Sequence, residues 1–197
     1  MESRSIDRTT LLNITLFVEA FLLLTATFWS QFAGIGLAPA LLVDGRKMAI
    51  GFGAGLALAA VSLSIFYLGK RLKALGSLHD IIIEQIAPIF ANVSLADVFV
   101  VAAVSGFCEE VLFRGVMQQQ FGLLPTSLIF GLFHCPSLKH LSYGVWALTA
   151  GFMLGWLYMT TGSLWVPIFA HAVSNAVSLV FLRYGVKPPA TPRQPDE

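Results

Sequence analysis

Long apolar runs, separated by short polar punctuation, fill this chain from Leu11 to Leu182. Leu11 to about Ser30 and about Met48 to Leu68 each hold roughly the 20 mostly apolar residues that a helix needs to cross a hydrocarbon core. A third run extends from Leu95 to Phe121. A fourth, Leu123 to about Cys135, is short; Pro125 near its start and Pro136 at its end mark it as a helix. Tyr143 to Thr160 is the fifth and Ser163 to about Leu182 the sixth. Between the second and third, Arg71 to Phe90 mixes Lys73, His79, Asp80 and Glu84 with leucines and isoleucines at helical spacing. That pattern predicts a helix lying in the membrane interface, ended or kinked by Pro88. The expected fold is all-α: a polytopic membrane helix bundle of about six transmembrane helices plus an interfacial amphipathic helix. Residues 1–183 form one domain, and 184–197, with four prolines and no apolar run, form a disordered polar tail.

Composition agrees with the pattern. Charged residues make up 12% of the chain and hydrophobic ones 56%, against about 25% charged in an ordinary soluble domain. Mean hydropathy is +0.77. A soluble core of this size has no room for the surplus, so the lipid bilayer is the expected partner. A net charge of +1, with no Lys/Arg run and no zinc-finger spacing, excludes a nucleic-acid partner. With six spans, Arg4, Arg8, Lys70, Arg71, Lys73, Lys139, Arg183, Lys187 and Arg193 share one side, and only Arg46 and Lys47 lie opposite. The bias predicts cytoplasmic termini in a prokaryotic plasma membrane. The first run is longer than a signal-peptide core and no cleavage site follows it, so it reads as a retained span. Cys108 and Cys135 read as small buried thiols. Gly51-x-x-x-Gly55 and Gly151-x-x-x-Gly155 read as packing pairs that let helices approach.

Three polar clusters break the apolar runs: Glu109-Glu110-x-x-x-Arg114, Phe130-x-x-x-His134 and His171-x-x-x-Asn175. Ionisable groups at membrane depth are costly and mark function by default. Residues four apart share a helix face, so Arg114 can neutralise Glu110. Glu109, turned about 100° away, is left free to face a cavity. At about 1.5 Å per residue, Glu109, His134 and His171 fall at one depth, which predicts one site. A carboxylate and a histidine together can hold and deprotonate a water. His171 and Asn175 offer N–H donors to an oxyanion. Phe130 packs beside them. Ser105 and Ser174 read as helix-packing hydroxyls, leaving water as the nucleophile. Glu19, midway along the first run, could line the cavity or pair with Arg114.

In order and spacing, these motifs resemble the CAAX protease and bacteriocin-processing family, also called CPBP or Abi intramembrane proteases. Ser163-Leu164-Trp165-Val166-Pro167 and Phe113-Arg114-Gly115 are similar to that family as well, and the likeness runs from Leu95 to Leu182. The resemblance implies a glutamic intramembrane endopeptidase acting on a protein or peptide substrate. Glu109 would be the catalytic base and His134 would help activate water. His171 and Asn175 would stabilise the oxyanion, with Glu110 and Arg114 in support. Two histidines and two glutamates could in principle hold zinc, but no His-Glu-x-x-His spacing is present; neither metal nor other cofactor is expected. The alternatives are a zinc-dependent membrane protease and a non-catalytic bacteriocin-immunity or binding protein of the same fold. No inverted repeat favours a transporter. The predicted topology sets the site nearer the outer face, whereas CAAX-processing relatives are expected to work from the cytoplasm. Either the span count is off by one, since the fourth run is short, or the substrates are exported.

Overall fold

The computed structural model describes residues 7–186 of the chain. Each apolar run becomes a helix, and among the described residues there is no strand. Helix α1 (Arg8–Phe32) starts at Asp7, whose side chain accepts the backbone N–H of Thr10. Asp44 likewise accepts the N–H groups of Arg46 and Lys47 and opens α2 (Gly45–Gly69). Such side chains satisfy donors that a helix start leaves without partners. These two helices and α9 (Trp165–Gly185) are long and apolar enough to cross a membrane. Helix α5 (Leu95–Leu112) begins with a capping box between Ser94 and Asp97. It continues through a π turn (Phe113–Met117) into α6 (Gln118–Phe121). Gly122, at φ 82°, breaks the run, since a left-handed backbone suits a residue without Cβ. α7 (Leu123–Phe133) and α8 (Leu141–Thr161) follow.

The six expected spans are not equal. α5 and α8 have 18 and 21 residues, but α5 carries three carboxylates and α8 is interspersed with glycine, threonine and aromatic residues. α7 has only 11 residues, about 17 Å of helix, or roughly half a hydrocarbon core.

Helix α9 lies at the centre, packed along α2 on one side and α5 on the other; α1 covers α5, and α7 pairs with α8. Glycines set the closest approaches. A Cβ at Gly55 would come within 2.7 Å of Val173 Cβ and 2.8 Å of the Ala170 carbonyl, and one at Gly51 would meet the Val166 carbonyl. Gly55→Leu is therefore expected to force α2 and α9 apart and destabilise the fold by about 1–3 kcal/mol or more. Thermal unfolding of the detergent-solubilised variant measures this, and an unchanged midpoint would refute the close packing. Two polar contacts fix the ends of the bundle. Arg8 donates to both carboxylate oxygens of Asp97, at 2.6 and 2.7 Å, and Arg183 Nε donates to the Val93 carbonyl at 3.0 Å. The starts of α1 and α5 and the end of α9 thus lie together.

The amphipathic segment is continuous but not regular. It comprises α3 (Lys73–Ile81), a π turn (Ile82–Ile86) and α4 (Ala87–Ile89). Pro88 has no N–H for the carbonyl four residues back and its ring crowds that position; a wide turn precedes it and the helix ends one residue beyond it, at Ile89. The segment is also held more firmly than an interfacial helix requires. His79 Nδ1 donates to the Phe66 carbonyl at 3.0 Å, the His140 ring bonds Gln85 Oε1, and Leu78 and Ile81 are buried. At the other end of the chain α9 continues to Gly185. The expected tail otherwise lies outside the described residues.

Candidate active site

Helix α5 delivers two adjacent carboxylates into different surroundings. Glu110 is fully enclosed. Its Oε1 accepts from Arg114 Nη1 at 2.8 Å and from His171 Nδ1 at 2.8 Å. Arg114, also fully buried, donates through Nη2 to the Gly151 carbonyl at 2.7 Å. Its guanidinium lies 4.7 Å from the centre of the Phe130 ring. The π turn holds Arg114 in this position, a distortion common near functional sites.

Glu109, one residue back, turns instead to a cavity of about 360 Å³. His134, His171, Asn175, Glu19, Ser105 and Tyr143 line the same cavity. The three motifs, carried by α5, the end of α7 and α9, therefore meet at one hollow. His134 is the residue that closes α7. Its Nδ1 donates at 2.8 Å to the Phe130 carbonyl, one of the carbonyls a helix end leaves without an N–H partner. With that proton fixed on Nδ1, Nε2 of the neutral ring is a lone-pair acceptor. The His171 ring is oriented the same way by Glu110. Asn175 Nδ2 donates to Ser105 Oγ at 3.1 Å, so Ser105 is more than a packing hydroxyl: it orients the amide. Glu19 is buried on the cavity wall, and among the described residues it makes no ion pair with Arg114. Cys108 and Cys135 are free thiols. Among the described residues, no three His, Cys, Asp or Glu side chains gather as a metal-binding group.

Two parts of this arrangement escaped the sequence reading. Phe130 is a hub: its ring lies 4.6 Å from the His134 ring and 6.0 Å from the His171 ring, besides stacking on Arg114. Gly151-x-x-x-Gly155 also does more than pack helices. Gly155 gives its carbonyl to Gln118 Nε2 at 3.0 Å, one turn from the Arg114–Gly151 bond, and a Cβ at Gly151 would stand 3.3 Å from Arg114 Nη2. The fourfold spacing of Arg114 and Gln118 matches that of the two glycines, and that match was the available signal. Away from its polar end the cavity continues as an apolar arm past Leu58, Phe66, Leu78, Ile82, Ile86 and Phe90. The amphipathic segment thus forms part of the site wall.

The chain is thus an all-helical membrane protein with buried carboxylates and histidines converging on one cavity. Comparison with known proteins narrows the class. Residues 91–177, a little under half the chain, match the family model described as Type II CAAX prenyl endopeptidase Rce1-like. Among curated proteins of Bacillus subtilis (strain 168), "Uncharacterized protein YpbD" is 35% identical over 96 residues, covering 49% of this chain and 51% of the relative. "Putative membrane peptidase YdiL" is 30% identical over 154 residues, 74% of this chain and 57% of that protein. "Uncharacterized protein YyaK" is 33% identical over 103 residues, 45% and 34% of the two chains. The matches span from a third to just over half of these relatives' lengths. No solved structure matches the chain.

Proposed function

We propose that this protein is a glutamic endopeptidase that cuts a membrane-associated or exported protein or peptide within the bilayer, using a water activated by Glu109 and His134. The reading rests above all on the single cavity that Glu109, His134, His171 and Asn175 line together. A water held between the Glu109 carboxylate and His134 Nε2 would give its proton to the carboxylate as its oxygen attacks the scissile carbonyl. The resulting oxyanion needs N–H donors. Asn175 supplies one. His171 supplies another when its ring holds both protons, and the Glu110 carboxylate facing Nδ1 is the counter-ion for that state. Arg114 pairs with Glu110 and fixes it, so the two adjacent carboxylates divide the work of base and anchor. The protein would sit in a prokaryotic plasma membrane with its termini in the cytoplasm, in keeping with the distribution of Lys and Arg.

The test is to compare the peptide termini of membranes containing the wild type with those containing Glu109→Gln at equal abundance. New termini only with the wild type are expected; identical sets would refute the assignment and favour a non-catalytic binding protein. The mechanism requires no metal, so cleavage of the substrate found this way is expected to continue in a strong chelator. Loss of activity that zinc restores would overturn that part.

A further inference from the structure

We infer that Glu19 is the proton donor to the departing amine, sharing one proton with Glu109 across the cavity; this rests on the protease reading above. The argument begins with depth. Arg8 and Asp97 pair at the starts of α1 and α5, which pack side by side. Glu19 lies eleven residues beyond Arg8 and Glu109 twelve beyond Asp97, rises of about 17 and 18 Å. The two carboxyl groups therefore stand level, and both face the same cavity.

Among the described residues neither has a hydrogen-bond partner for its buried oxygen. Glu19 is only 5% exposed, and Oε2 of Glu19 and Oε2 of Glu109 are buried without a hydrogen-bond partner. Leaving a buried carboxylate without a donor is costly, and two of them level on the wall of one cavity settle most readily by holding one proton between them. The surrounding charges do not offer another remedy. Three carboxylates, Glu19, Glu109 and Glu110, share the region with one guanidinium, and Arg114 is taken up by Glu110 and the Gly151 carbonyl. The other titratable groups facing Glu19 are Cys108 on α5 and His171 on α9, with His134 and Tyr143 across the cavity.

The proton balance is complete with these two groups. Glu109 takes a proton from water while the oxygen bonds to the carbonyl carbon. As the C–N bond breaks, the nitrogen takes the proton from Glu19, and the proton on Glu109 then restores the shared state. Cleavage requires the pair to hold one proton: with two, Glu109 cannot accept, and with none, Glu19 cannot donate.

Infrared pH titration of the full chain in lipid vesicles, read in the carbonyl stretch of protonated carboxyl groups, tests the shared proton without any substrate. Both Glu19→Gln and Glu109→Gln are expected to change that titration; a Glu19→Gln trace matching the wild type overturns the shared proton. Kinetics on the substrate identified from membrane termini tests the donor role. Glu19→Gln is expected to slow turnover about 100-fold or more, to abolish the alkaline fall of kcat and to keep the acid fall, with Glu19→Asp restoring the two-sided profile. Equal slowing at every pH would make Glu19 structural and overturn the donor role. A wild type that cleaves nothing removes the protease reading and the donor with it, while the infrared result still decides the shared proton.

Discussion

Replacing Glu109 with glutamine is expected to reduce cleavage by about 10²–10⁴-fold, the usual contribution of a positioned general base, while the protein remains inserted and folded. The contrast follows from what Glu109 touches. It faces the cavity, and apart from the proton inferred to be shared with Glu19 no hydrogen bond or ion pair ties its carboxylate among the described residues. The rate at which new termini appear in proteoliposomes, together with the thermal midpoint of the variant, measures both halves. Turnover within a few fold of the wild type would remove Glu109 as the base.

Arg114 is expected to behave the opposite way. Arg114→Met removes the cation facing a carboxylate that is wholly out of water and leaves the Gly151 carbonyl without the same donor. Breaking a buried ion pair from one side costs about 3–5 kcal/mol, because the partner's charge is left uncompensated. The double variant Glu110→Gln/Arg114→Met is expected to recover a large part of that loss, because no charge is stranded. Unfolding of the detergent-solubilised proteins reads both effects. An Arg114→Met midpoint indistinguishable from the wild type would contradict the pairing.

The same two residues show where sequence alone succeeds. Helical periodicity is local, so a spacing of four between Glu110 and Arg114 is enough to predict their contact. The different heading of Glu109 follows from the 100° turn per residue. Hydropathy likewise located the helices, because apolar length is a property of a segment and needs no knowledge of its neighbours. Beyond the shared depth of the three motifs, the sequence could not supply the particular contacts between segments. Phe130 looked like ordinary packing because Arg114 and His171, which it meets along with its near neighbour His134, come from other segments. Glu19 had two candidate positions, and only the packing of α1 against α5 decided between them. The π turns at Ile82–Ile86 and Phe113–Met117 were invisible for a related reason. A proline signals a break in the helix, yet whether the chain stops or widens depends on what the continuing turn can bury.

The shortness of α7 reaches beyond the protein itself. A helix of 11 residues, with Leu124, Leu128, Leu132 and Phe133 turned outward, offers lipid tails too little height to lie at full extension beside it. A bilayer meets such a mismatch by thinning. A leaflet thinned beside His134 would shorten the way for water to descend toward it. The thickness of the surrounding membrane would then act as a dial on how readily the cavity can be reached.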